Sequence, residues 1–424
     1  MTVFLICFVL MIILGAPIAF SLGISSVAYV IYNPDLSMLF IVQKMFTGTD
    51  SFPLLAIPFF ILAGNLMNMG GVTRKLLNFC NLLVGHWRGG LASVSIVGSM
   101  IFAGISGSSV ADASGLGSIL IPAMNDSGYD KEYSVAINAT SSTVGILIPP
   151  SIPMVLLASI ANASVRDMFF STAVAGVMIG LGMLVLNAFI SKRKQYPRNE
   201  RVKLQDIPGI LFYSIPALIM PAIIILGIIF GVVTATEAAV LAVVYSLVVG
   251  KFVYRELTLK TVYEAMKETV IQTAVVLFII ATASILSGIL SYLLLPQALA
   301  VWAVNSLQSK TLILAFIAIL ALFTGLFIDV TPALILLGAI FAPVATAAGI
   351  SMLHFGTVLV TALAIGLFTP PVGTTLIISS YIAKTSIADG FRYCLPFMAL
   401  MLGILLLLVL FPIFSVGLPT LMFY

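Results

Sequence analysis

The chain alternates long apolar runs with short polar ones. Stretches free of Asp, Glu, Lys and Arg cover 1–34, 51–73, 89–111, 133–165, 168–191, 207–236, 269–309, 311–328, 330–383 and 393–424. Within them Leu, Ile, Val, Ala and Phe follow one another continuously, without the period-two alternation of barrel strands. A membrane-spanning helix takes about 20 apolar residues, so several runs hold more than one segment. The 54 residues of 330–383 must turn back at least once. The pattern predicts an all-α polytopic membrane protein. Segment 1–34 lacks a positive n-region and is too long for an h-region. It is expected to stay as the first helix rather than leave as a signal peptide.

Composition agrees with the pattern. Of 424 residues, 61% are hydrophobic and 8% charged, and mean hydropathy is +1.21. A soluble domain carries about 25% charged residues, and a disordered chain needs still more charge and less apolar surface. The net charge of +4 comes from loop lysines and arginines and carries no nucleic-acid signal. Cys7, Cys80 and Cys394 form no C-x-x-C pair and read as packing residues. The densest basic run, 192–203, holds 6 of the 19 Lys and Arg residues. The positive-inside rule puts it in the cytoplasm as a topogenic loop. Residues 74–88 and 251–267 have the mixed pattern of interfacial amphipathic helices, the second through Leu257, Leu259, Val262, Tyr263 and Met266.

The chain also matches itself. At an offset of 221 residues, segment 102–150 aligns with 323–371 without a gap and with 11 of 49 positions identical. The matches include Gly104 with Gly325, Gly117 with Gly338, Pro122 with Pro343, Gly145 with Gly366, and Pro149-Pro150 with Pro370-Pro371. Glycine and proline report backbone shape, so the two halves are expected to share a path. Two repeats of inverted topology follow as the expectation. The first covers 1–190, with a hairpin near 100–125 and a broken helix near 138–165. A basic cytoplasmic linker covers 191–206. The second repeat covers 207–424, with a hairpin near 315–345 and a broken helix near 355–385. If the repeats are inverted, each half crosses an odd number of times and both termini lie outside.

Broken helices at membrane depth expose N–H and C=O groups that lipid cannot satisfy. Such groups must line a cavity or bind something, and hydroxyl and carbonyl oxygens suit a hard monovalent cation. Two cation sites are therefore expected. One draws on Ser106, Ser108, Ser109, Thr143, Gly145 and Pro149; the other on Gly325, Asp329, Gly366, Thr369 and Thr374. An anionic solute would meet the helix N-termini after Pro150 and Pro371, near Ser151 and Thr375. The bland reading treats these hydroxyls as intrahelical and the prolines as simple kinks. Four such segments in register at one offset weigh against it. Glycine changes should hurt more than serine changes, because they alter the backbone path.

Among ionisable residues, Asp112, Glu237 and Asp329 sit in apolar surroundings, where such groups are rare and usually functional. Asp112 and Asp329 are expected to cap hairpin backbone or to sit near a cation, and Glu237 to pair with a neighbouring polar group. His86 and His354 read as interfacial or packing residues. The sequence has no transition-metal pattern, and no G-x-x-x-x-G-K-[ST] for an ATP-driven pump. An intramembrane protease is the rival class. Residues 104–107 (GISG) fit a serine-type motif, and Asp329 with Pro332, Ala333 and Leu334 fits an aspartyl-type one. The first lacks an evident histidine base, and the second lacks its partner motif.

Several segments together resemble, end to end, the large membrane subunit of tripartite ATP-independent periplasmic (TRAP) transporters. They are 58–64 (PFFILAG) with 70–72 (GGV), 106–113 (SGSSVADA), 121–124 (IPAM), 128–130 (GYD), 148–151 (IPPS), 236–239 (TEAA) and 369–373 (TPPVG). Thr234-Ala235-Thr236 stands where Thr-Pro-Thr is the commoner family pattern. The resemblance implies sodium-coupled uptake of a carboxylate, such as a C4-dicarboxylate or sialic acid, across a bacterial cytoplasmic membrane. It implies an elevator in which the hairpins move against a scaffold. It also implies two partners: a small four-helix membrane subunit, expected as a separate chain, and a periplasmic substrate-binding protein. The rival within transport is a stand-alone ion-coupled anion carrier. No organic cofactor is expected, only sodium as the coupling ion.

Overall fold

A computed structural model describes residues 1–198 and 202–423, so linker positions 199–201 lie outside the described residues. Among the described residues there are 21 α-helices and no β-strand. Seven helical stretches are long and apolar enough to cross a membrane.

The first run is two helices, not one. α1 (Thr2–Ile13) ends at Gly15, whose φ of +75° suits glycine. Pro17 then opens α2 (Ile18–Tyr32), which packs back on α1. α3 (Met38–Thr49), α4 (Ala56–Met69) and α5 (Val72–Val84) follow. α5 is the amphipathic helix expected at 74–88, with Leu76, Leu77 and Cys80 buried. The helix expected over 251–267 is not a separate element. After a π-turn at Val249–Val253, the Thr258 hydroxyl caps α14 (Leu259–Tyr292), which runs unbroken for 34 residues. No proline interrupts it, so nothing separates its first turns from its apolar body.

α6 (Gly90–Ser106) turns at Gly107 and Ser108 into α7 (Ser109–Gly115), which continues as α8 (Gly117–Asp126). α9 (Lys131–Ser141) tightens into a 3₁₀ turn at Ser142–Ile146 and stops before α10 (Ile152–Ala161). α11 (Val165–Lys194) is about 45 Å long by helix rise, from 30 residues. The later half contains α12 (Ile207–Ile229), α13 (Ala235–Val248), α14 and α15 (Leu295–Leu307). Then come α16 (Lys310–Gly325), α17 (Val330–Ala347), α18 (Met352–Gly366), α19 (Thr374–Ala383), α20 (Ile387–Leu410) and α21 (Ile413–Phe423). α16 and α17 form a second hairpin, and α18 and α19 are separated by residues 367–373.

The helices pack as two groups. α2, α3, α4, α12, α13 and α14 pack among themselves. α9, α11, α18, α19 and α20 form the centre of the other group, with α10 on α17 and α16 on α18. α4, α5 and α12 meet α6, and α14 and α15 meet α17, where the groups touch.

The two ends of α11 mark where the hairpins open. At its Lys194 end, Lys194 pairs with Asp130 at 2.9 Å, at the foot of the first hairpin. The linker begins docked there, not free. Gly89 N–H donates to Pro197 C=O at 3.1 Å, and Tyr196 stacks on Tyr129 at 4.6 Å. Burial pushes the Asp130 carboxyl up, but the Lys194 hydrogen bond and charge, with Tyr196 and Tyr393, hold it below its usual range. At the opposite end, Ser171 accepts from Thr357 of α18 at 3.1 Å, and Arg166 lies over the Phe423 ring at 4.0 Å. α18 starts directly after the second hairpin.

Candidate functional site

The chemistry collects where the hairpin turns meet the helix breaks. Proline lacks an N–H, so Pro149 and Pro150 leave the carbonyls four residues earlier, at Gly145 and Ile146, without helical donors. Pro370 and Pro371 remove the same donors from Gly366 and Leu367, where Thr369 N–H and Thr375 N–H take their place at 3.0 and 2.9 Å. Both Pro-Pro bonds are cis. The second freed carbonyl is capped the same way in each half. Ser151 Oγ donates to Ile146 C=O at 2.6 Å, and Thr375 Oγ1 donates to Leu367 C=O at 2.8 Å. Ile146 and Leu367 are related by the 221-residue offset.

At the first break, Ser106 ends α6 and donates to the Asp112 carboxylate. Its Oγ accepts from Ser108 N–H at 3.3 Å, and Ser108 Oγ caps α7 by accepting from Ala111 N–H at 3.4 Å. Asp112 is fully buried, and its Oδ2 has no hydrogen-bond partner. That oxygen faces Gly145, where a Cβ would stand 2.4 Å from it. Ser109 is also buried, with an unpartnered Oγ. Pro149 brings its carbonyl 3.6 Å from where a Cβ on Gly104 would lie. Gly107, at φ +58°, turns the hairpin against the Pro150 carbonyl.

At the second break, Gly325 and Gly366 lie backbone to backbone. A Cβ on Gly366 would stand 2.4 Å from the Gly325 oxygen. Thr374 Oγ1 donates to Asp329 Oδ2 at 3.4 Å, joining the start of α19 to the start of α17.

Other expected ligands lie close in chain but turn their side chains elsewhere. Thr143 donates to Thr140 C=O at 2.7 Å and Thr369 to Ile365 C=O at 2.6 Å, each back onto the helix that precedes it. Ser151 and Thr375 are fully buried, and their hydroxyl protons are spent on the carbonyls described above. Glu237 is exposed at the first turn of α13, where Oε2 accepts from Thr234 N–H at 2.7 Å. It pairs with the neighbouring Thr234 as the cap of that helix. His354 packs in the core, 3.1 Å from Ser415 Oγ. The residues expected from sequence did not include Asp112 as a ligand, although its place six residues after Ser106 in an apolar stretch marks it as unusual. Nor did they include Asn138, a buried amide on α9.

Beside the first hairpin, where the two helix groups meet, lies a cavity of about 370 Å³. Its walls include Asn68, Thr73, Arg74, Ser114, Ser118 and Glu256.

Residues 5–414 match the family model described as tripartite ATP-independent periplasmic transporter, DctM component. The chain is 36% identical to the sialic acid TRAP transporter large permease protein of Vibrio cholerae, covering 96% of this chain and 95% of that protein. It is 35% identical to the C4-dicarboxylate TRAP transporter large permease protein of Rhodobacter capsulatus, over 96% of each. It is 36% identical to the isethionate TRAP transporter permease protein of Oleidesulfovibrio alaskensis, over 94% of this chain and 63% of that one. Among solved structures, the YdaH transporter of Alcanivorax borkumensis superposes with a TM-score of 0.64 at 16% identity. The match covers 89% of this chain and 88% of that one. At that identity the likeness is one of fold.

Proposed function

The chain belongs to the DctM family, the large membrane permeases of TRAP transporters, and from that premise we propose that it carries a carboxylate solute inward, driven by sodium. As a member of that family it is a multi-pass protein of the bacterial cytoplasmic membrane. Sialic acid, C4-dicarboxylates and isethionate are named for its relatives. All three are organic anions, and a C4-dicarboxylate or sialic-acid-like acid is the solute class proposed here. A soluble periplasmic binding protein would deliver it, and a small membrane subunit would complete the permease.

One observation carries the cation reading. At each of two helix breaks at positions matched by the 221-residue offset, glycine backbone and an aspartate converge. At the first, a fully buried carboxylate has an unpartnered oxygen and no ion-pair partner. An uncompensated buried charge is costly, so a bound monovalent cation there is physically favoured. Ser106, Ser108, Ser109, Asp112, Gly145 and Pro149 would form the first site. Gly325, Asp329, Gly366, Thr369 and Thr374 would form the second, with Thr143 and Thr369 contributing through main-chain oxygens. Ser151 and Thr375 sit at the starts of α10 and α19, where the helix dipoles favour an anion between the two sites.

An elevator movement is supported by the two helix groups and by the solute-sized cavity between them, within the range of small-molecule sites. The opposite ends of α11 reached by the two hairpin regions support inverted repeats. The test is uptake into proteoliposomes with the small subunit and binding protein present. Sodium, proton and no gradient are compared over a panel of organic acids. Sodium-driven uptake of one acid class is expected; uptake that ignores sodium overturns the reading.

A further inference from the structure

Asn138 lies on α9 within an apolar run and is 1% exposed. Its Nδ2 donates to Ala113 C=O of α7 at 2.9 Å and to Ser379 Oγ of α19 at 2.8 Å. Both amide protons are thus spent outside its own helix, one in each half of the chain. The amide cannot turn over, because its oxygen would then face the Ala113 carbonyl. Ser379 passes the bond on by donating to Thr375 C=O at 2.8 Å. Thr375 Oγ1 returns to α9 by sharing its one proton between Leu367 C=O at 2.8 Å and Ala139 C=O at 3.0 Å. The result is a closed circuit of buried hydrogen bonds across the contact of α9 with α19.

The circuit ends beside both helix-break sites. Ala113 follows Asp112, and Thr375 follows Thr374, which donates to Asp329. Gly117 makes room for the amide, since a Cβ there would stand 2.5 Å from Asn138 Nδ2. At the repeat offset the position of Asn138 is taken by Leu359, which is fully buried. The amide is therefore not a duplicated ligand; it occurs once and joins the two copies.

We propose that Asn138 is a positioning residue that couples the two cation sites, so that ordering either helix break favours ordering of the other. This rests on the cation reading given above. A buried donor is costly to leave unpaired, so α7 and α19 cannot shift independently without breaking the circuit. Coupling of this kind is reciprocal: occupancy of one site tightens the other by the same factor.

The test uses the purified full-length chain, with sodium titrated against choline at constant ionic strength. Hydrogen exchange is followed at 106–112 and at 367–375. In the unmodified protein both segments gain protection along one steep curve with a Hill coefficient of about 2. In Asn138→Ala the curves become shallow, with Hill coefficients of about 1 and midpoints roughly fivefold or more apart. Ser379→Ala, which removes one acceptor atom with little volume, gives the same separation and keeps the test alive if Asn138→Ala does not fold. A merely structural role would lower the melting midpoint while the two curves stayed together. Coincident curves in a folded variant, or separate curves in the unmodified protein, overturn the coupling. Sodium that protects neither segment in the unmodified protein overturns the cation reading, and the coupling with it.

Discussion

Gly366 lies so close to Gly325 that a methyl group on it would stand 2.4 Å from the Gly325 carbonyl oxygen. Two backbones meet there, and neither can yield as a flexible side chain would. Gly366→Ala is expected to cost about 1–3 kcal/mol of overpacking and to lower uptake by roughly tenfold or more. Gly403→Ala on α20, where a Cβ meets nothing within 4 Å, should leave uptake unchanged. Initial uptake rates in proteoliposomes, normalised to folded protein, compare the two.

Asp112 carries the only buried carboxylate oxygen without a partner among the described residues. Asp112→Asn keeps the shape and removes the charge. The sodium concentration for half-maximal uptake should rise by roughly tenfold or more, in line with the loss of a charged hydrogen-bonding partner. Ser106→Ala leaves the charge in place and should raise it less. An Asp112→Asn protein with an unchanged sodium curve would remove Asp112 from the site.

Ser151 and Thr375 cap equivalent carbonyls. Ser151→Ala should cost about 1–2 kcal/mol, because the buried Ile146 carbonyl loses its donor. Thr375→Val should cost less, because Leu367 C=O keeps Thr375 N–H at 2.9 Å. Ser151→Thr and Thr375→Ser keep the donor and should retain most of the stability. Melting midpoints in detergent read the difference.

Asp130 has a depressed carboxyl range, held by Lys194. A depressed carboxyl stabilises the fold above its ordinary range and loses that contribution as pH falls through its folded value. The pair is partly exposed, so Asp130→Asn should cost no more than about 1 kcal/mol at neutral pH. The gap between variant and parent should close as the pH drops toward acid. A pH-independent gap in melting midpoint would assign the loss to packing.

Much was legible before any coordinates. Long charge-free runs dictate helices in lipid, because no other open structure satisfies its own backbone there. The matched Gly and Pro positions located the interruptions after Gly145 and Gly366, since these residues act on the backbone within a few positions. The split of 1–34 at Gly15 and Pro17 was written in the same code but masked by uninterrupted hydrophobicity. The run of α14 through 267 was missed for the opposite reason: charges suggested a boundary where no backbone breaker stood.

Side-chain partners were not legible, because they depend on elements far apart in the chain. Thr143 and Thr369 look like ligands in a row of letters, yet their hydroxyls return to the helices that precede them. Asn138 looks incidental, yet it joins α9 to α19 across 241 residues. Local sequence determined where this backbone bends, since glycine and proline act over a turn. Only the tertiary structure decided what each bend faces, since a hydrogen bond needs its partner within about 3 Å, whatever the distance along the chain.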